Sequence, residues 1–271
     1  MRPLANFWKL VQNENMKIYR RMRTWVMLGI VVLIPIVVTV AFLLLSDSKD
    51  ANNWEMMQLE TTILFSLITI FTVVVAADSV AGEFSTGTIK LLLIRPWSRS
   101  SILLSKFIAL VLFSVLLSVV CFVLTWGVNT LVFGFSSDTS GLIPANSPLA
   151  GQSPWTYMGL DYLYEWIELI VIVAFAFMLS SAFRSSGLAI GLSIFLLFAG
   201  SMITGLLSVT NKPWVKYVLF SNLDLTAYLN GGNPVPNFKT TVGFSLSVLA
   251  VYFIVFNIVS WTIFRRRDVA A

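Results

Sequence analysis

Six stretches of the chain are long and apolar enough to cross a lipid bilayer, and none carries Asp, Glu, Lys or Arg in its central part. A helix needs ~20 apolar residues to cross a ~30 Å hydrocarbon core. The windows are residues 25–45, 59–80, 102–133, 163–183, 188–209 and 242–264, the third long enough to tilt or protrude. Residues are 57% apolar and 11% charged, far from the ~25% charged of an ordinary soluble domain. The expected class is therefore an all-α membrane protein with a six-span domain over 25–271. The first apolar window follows Arg20, Arg21 and Arg23, as a signal peptide would, but it outruns a cleavable core of ~7–15 residues and no small-residue cleavage site follows. An uncleaved first span is expected.

Basic residues in short loops stay on the cytoplasmic side. The N-terminal arm holds Arg2, Lys9, Lys17, Arg20, Arg21 and Arg23, and the segment after the second span holds Lys90, Arg95, Arg99 and Lys106. Arg184 and the tail residues Arg265, Arg266 and Arg267 fall on the same side, leaving Lys49, Lys212, Lys216 and Lys239 on the other. Both termini should then be cytoplasmic in a multi-pass cell-membrane protein. In residues 1–24, Phe7, Leu10, Val11, Ile18 and Met22 recur at spacings compatible with one helix face, predicting a helix in the inner interface with its arginines on anionic membrane lipid. A plain charged anchor is the alternative. On the far side, residues 134–162 are rich in Gly, Ser and Pro and read as irregular. The middle of 210–241, WVKYVLFSNLDLTAYL, is too short and punctuated to cross, so an extracellular re-entrant or interfacial piece is expected before the last span.

Several function classes are excluded within this chain. It has no histidine and a single cysteine, Cys121, so His/Cys zinc sites, a Cys/His catalytic pair and an internal disulfide are out. The excess of five positive charges is not gathered on one solvated face, which argues against a nucleic-acid partner. No catalytic, cofactor or metal residue is assigned. The spans show no ionisable relay of the kind that ion-driven pumps keep near mid-bilayer. No G-x-x-x-x-G-K-[ST] phosphate loop occurs either, so energy for any transport must come from a partner. Asp161, Glu165 and Glu168 share a helix face at the outer end of the fourth span. They could collect cations or a cationic substrate, or simply be solvated interface carboxylates.

The segment between the second and third spans, GEFSTGTIKLLLIRPWSRS over residues 82–100, needs an explanation of its own. Gly87 can turn through positive φ without a Cβ penalty, Thr88 can cap a helix, and Pro96 biases Arg95 away from helical geometry. A short helix over Thr88–Arg95 is expected, with Ser98 or Ser100 capping the next span. Its residues Leu91, Leu92, Leu93 and Ile94 need burial that a solvated loop does not supply. One reading lays it flat on lipid with Lys90, Arg95 and Arg99 on phosphates; the other docks it on a protein.

The run E-x-x-x-G-T from Glu83 to Thr88, the leucines, then R-P-W-S-R ending at Arg99, with Lys106 beyond, resembles the corresponding loop of permease subunits of ABC-2 type ABC transporters. The six-span plan and the re-entrant piece fit the same family. The resemblance implies an exporter permease without its own ATPase site, driven by a cytoplasmic ATP-binding subunit that supplies ATP and Mg. It also implies that Thr88–Arg95 is a coupling helix seated in a cleft of that subunit, with Gly87 as its hinge and Glu83 anchoring the second span. Lys90, Leu91, Leu92, Arg95, Pro96 and Arg99 would complete the docking surface. It implies a second permease subunit too, in a homodimer or heterodimer. Gly187 and Gly191, Gly200 and Thr204, and Ser201 and Gly205 are each four apart in the fifth span, a spacing that permits close helix approach for subunit pairing or for packing within the chain. Asn129 and Asn257 are read as interhelical hydrogen-bonding groups. The competing function is a membrane scaffold or signalling partner that docks a regulator on the same loop without transport.

Overall fold

A computed structural model describes residues 3–45, 52–89, 97–136, 141–207, 209–210, 212–235 and 237–266. Among them every regular element is helical: α1 (Pro3–Tyr19), α2 (Met22–Leu45), α3 (Asn53–Ser85), α4 (Arg99–Phe133), α5 (Pro154–Ala182), α6 (Ser186–Leu207) and α7 (Val242–Arg266), with three short 3-10 turns before α7. Helices α2 to α7 are each long and apolar enough to cross a membrane.

The helix starts follow capping chemistry rather than hydropathy. Asn52 accepts the Trp54 amide and sets α3 off at Asn53, six residues before the apolar window begins. Ser98 accepts the Ser101 amide to start α4, as expected. Ser153 accepts the Thr156 amide with Pro154 at the first helical position, so α5 already runs through residues 154–162. The expected irregular loop over 134–162 is corrected accordingly. The stretch WTYMGLDY is too polar to register as a span, yet it continues the helix beyond the apolar window. The rest of that loop is anchored: Leu142 and Ile143 are buried against Trp54, Met57 and Tyr157, and Ser147 Oγ donates to the Leu229 carbonyl at 2.5 Å.

Helix α3 is the axis of the bundle. Leu64, Phe65, Ile68, Ala76, Ala77 and Val80 are buried along it, and it packs on α2, α4, α5 and α6. Helices α2, α6 and α7 turn Leu33 and Val37, Phe195 and Met202, and Val251 and Ile258 outward. That arrangement suits lipid, which is as apolar as those side chains. A polar cluster crosses three helices inside the bundle: Glu60 of α3, fully buried, accepts from Thr39 Oγ1 at 2.7 Å and Asn129 Nδ2 at 2.6 Å. Asn129 is thus interhelical as read from sequence, whereas Asn257 donates to the Phe253 carbonyl of its own helix.

The three 3-10 turns, Pro213–Tyr217, Phe220–Asn222 and Leu225–Tyr228, sit beside α6 and α7 rather than above them. The Phe220 ring lies where a Cβ on Gly200 would stand, so only glycine fits there, seven residues before the end of α6. The Tyr217 carbonyl accepts from Tyr252 Oη, ten residues into α7. At 1.5 Å per residue the Phe220 contact lies roughly 10 Å along α6 from its end, whereas the Tyr217 ring packs against Phe244, only two residues into α7.

Candidate functional site

The chemistry of the chain concentrates at the end of the bundle where α1 meets the root of α3. Helix α1 is more than an interfacial float: it packs on α4 and α2 and buries Leu10 and Val11. Its Glu14 falls one turn further along the same apolar face and is buried as well. Met22, expected on that face, instead opens α2 and is 79% exposed.

Four side chains close a ring of alternating charge. Lys106 of α4, with its side chain 2% exposed, donates to Glu14 Oε2 at 2.8 Å, Glu83 Oε1 at 2.7 Å and the Ser79 carbonyl at 3.1 Å. Those three acceptors match the three donors of an ammonium. Lys17 of α1 closes the ring, 2.6 Å from Glu14 Oε1 and 2.9 Å from Glu83 Oε1. Two cations and two anions balance, and burial without that balance would cost several kcal/mol.

A second knot lies one turn up α3. Asp78 Oδ2 accepts from Arg23 Nη2 at 2.7 Å and from Arg21, while Ser186 at the start of α6 donates to Oδ1. Ser85 Oγ accepts the Ser186 amide and donates to the Arg184 carbonyl. Arg21 and Arg23, expected on anionic lipid headgroups, are therefore paired with a carboxylate of the protein, and Lys17 is paired with two. The two knots line a cavity of about 50 Å³. Between them they tie α1, α2, α4 and α6 to the last two turns of α3.

Burial alone would raise the Glu14 carboxyl, but the Lys106 and Lys17 ammoniums outweigh it and hold Glu14 below its ordinary value. Burial likewise pulls Lys17 down, and Glu83 and Glu14 more than restore it, leaving Lys17 raised. A depressed acid stabilises above its unfolded pKa, and that stability is lost as pH falls through the folded value. A raised base stabilises below its unfolded pKa and loses this as pH rises through the folded value. Hydrogen-exchange protection of α1 should therefore be flat between about pH 5 and 10 and fall outside both limits, given ordinary values of ~4.3 and ~10.4. Protection that rises on acidification below pH 4 would contradict the ring.

Past this root the chain turns. Gly87 has φ of +71°, in the left-handed region, and a Cβ there would meet nothing within 4 Å, so backbone conformation is what selects glycine. Thr88 is exposed, its hydroxyl 3.0 Å from that of Thr86, and Ile89 is buried. Lys90, Leu91, Leu92, Arg95 and Pro96 lie outside the described residues, and most of the expected coupling helix with them. Arg99 Nη1 donates to the Arg265 carbonyl at 3.0 Å, closing the last turn of α7.

The remaining sequence candidates separate. Gly187, Gly191 and Gly205 are exposed on α6, while Gly200 is buried against Phe220 and Thr204 donates to the Gly200 carbonyl. The six residues read as one pairing face thus include Gly200, which is used within the chain, on the side of α6 opposite the three open glycines; the Ser201 side chain is outside the described residues. At the far end, Asp161 is buried and Glu168 Oε1 accepts the Leu225 amide at 2.6 Å. These carboxylates, Glu165 half-buried between them, face the 3-10 turns rather than open water. Among the described residues no group of three or more His, Cys, Asp or Glu is placed to hold a metal ion. Sequence reasoning missed Glu14 and Glu60; Glu14 had left a signal, a carboxylate at i+3 and i+4 from Val11 and Leu10 on the apolar face.

The fold defines a class: an all-helical, multi-pass membrane protein. Residues 24–270 match the family described as a protein of unknown function, DUF2705, and the chain belongs to that family. It is similar to the uncharacterized protein YhcI of Bacillus subtilis strain 168, 41% identical over 76% of this chain and 66% of YhcI. The match to YhcI thus spans just under two thirds of that protein. A second relative, the uncharacterized membrane protein YdbK of the same organism, is 31% identical over 75% of this chain and 78% of its own length.

Proposed function

We propose that the chain is the membrane-spanning permease subunit of an ATP-driven exporter of the ABC-2 type, powered by a separate ATP-binding subunit that docks on residues 82–100. One observation carries this reading. The segment that would receive the motor hangs from Glu83, and Glu83 is locked through Lys106 and Lys17 to α4 and α1. A push on the segment is therefore delivered to three helices at once. In this reading α1 is the cytoplasmic transmission element, Gly87 the hinge, ATP and Mg sit in the partner, and the turns over 220–228 form the re-entrant piece on the outer side. A second copy or a related permease completes the pathway, with Gly187, Gly191 and Gly205 on the open face of α6.

The orientation is tested by labelling. Cysteines placed at the exposed positions Ala145 or Lys239 should react with an impermeant reagent in sealed cells, and one placed after Arg267 should not. Native Cys121 is buried and gives little background. Labelling of the tail from outside would overturn the topology and put the docking segment on the wrong side of the membrane for a cytoplasmic ATPase.

A further inference from the structure

The 3-10 turn Pro213–Tyr217 presents a surface unlike the rest of its end of the bundle. Trp214 and Tyr217 are each 54% exposed, and residues three apart in a 3-10 helix point the same way. Lys212 is exposed just before them, and the Lys216 ammonium stands 5.1 Å from the Tyr217 ring centroid. No acidic residue occurs between Val209 and Asn222. The carboxylates of this end face elsewhere: Glu168 receives the Leu225 amide and Asp224 Oδ1 receives the Ala227 amide.

The surface is also held rigid. Val215 and Leu219 are buried beneath it, and Asn222, fully buried, donates to the Lys216 and Val218 carbonyls at 2.9 Å while accepting from Ser245 of α7. Trp214, Tyr217 and Lys212 thus face outward beside the half-buried Lys216, close to the start of α7, where the Tyr217 ring packs against Phe244. Aromatic rings with a polar edge favour the headgroup layer of a membrane, and lysines reach from there to phosphate. In water the same turn would expose Trp214 and Tyr217 for no gain.

We propose that the Lys212–Tyr217 turn is a contact surface for anionic phospholipid headgroups, with Trp214 and Tyr217 in the interface and Lys212 and Lys216 on the phosphates. The turn is a lipid-gripping brace tied to α7 through Tyr252 and Phe244. The claim is independent of any ATPase.

The test uses the full chain in vesicles, with an environment-sensitive fluorophore on Val209→Cys, a position 85% exposed and three residues from Lys212. The unsubstituted chain, whose Cys121 is buried, sets the background. Quenching by brominated phosphatidylglycerol is compared with quenching by brominated phosphatidylcholine at equal mole fraction in mixed bilayers. The expected result is stronger quenching by the anionic lipid, with local enrichment of about five-fold per lysine, and loss of the preference in Lys212→Gln/Lys216→Gln. Equal quenching by both lipids, a preference that survives the double substitution, or no quenching by either lipid would each overturn the assignment.

Discussion

Lys106→Met should destabilise the folded chain by about 3–5 kcal/mol, the cost of breaking a buried ion pair by removing one partner. Methionine fills nearly the same volume, so packing of α4 is kept and the loss is electrostatic. Glu14 and Glu83 would remain buried with only Lys17, itself part-exposed, to balance them. The midpoint of thermal unfolding in mild detergent reads the effect. Adding Glu14→Gln to Lys106→Met should recover part of the loss, because Lys17 and Glu83 then balance one to one. A change within ~0.5 kcal/mol for Lys106→Met, the size of an ordinary surface substitution, would show that the ring contributes little.

Gly87→Val should act on function and spare the fold. The position has φ of +71° and open space around a Cβ, so valine meets backbone strain without a clash. Left-handed geometry costs an ordinary residue ~1–2 kcal/mol, and a β-branched one resists it further. The segment beyond would be re-aimed with its own surface intact. Under the proposed function, the chain and its ATP-binding partner should still copurify, while ATP-dependent substrate movement per complex falls about ten-fold, the factor that ~1.4 kcal/mol represents. Gly87→Asn, which tolerates the left-handed region, should retain most activity. Equal transport by the valine and asparagine variants would remove Gly87 from the hinge role.

The spans were legible because bilayer thickness imposes a length and a lack of charge that few other structures need. The ends of α3 and α5 were not, since Asn52 and Ser153 start those helices beyond the apolar windows, through capping that hydropathy does not register. Gly87 could be read from the conformational needs of one turn. Its neighbour Glu83 could be placed at the base of α3, but its partners could not, because Lys17 and Lys106 are far from it in sequence and only the packing of α1 on α4 brings them together. The charge rule misled at Arg21 and Arg23 for a related reason. It counts cations by side of the membrane and is blind to a carboxylate such as Asp78 that takes them from the lipid. Gly200 and Gly191 look alike at four-residue spacing, and only the fold separates the one under Phe220 from the one left open.

Under the proposed function, Leu92 would stand in the contact with the ATP-binding subunit. A photo-crosslinking amino acid at position 92, activated in membranes of the native host, should form an adduct with a soluble-type protein carrying G-x-x-x-x-G-K-[ST], with a yield that changes when ATP is added. Leu92→Asp should in parallel strip that protein from the purified chain, since it places a carboxylate in a desolvated contact. Adducts to lipid alone, together with unchanged copurification in Leu92→Asp, would contradict the account: the segment would then lie flat on the membrane and no separate motor would act through it.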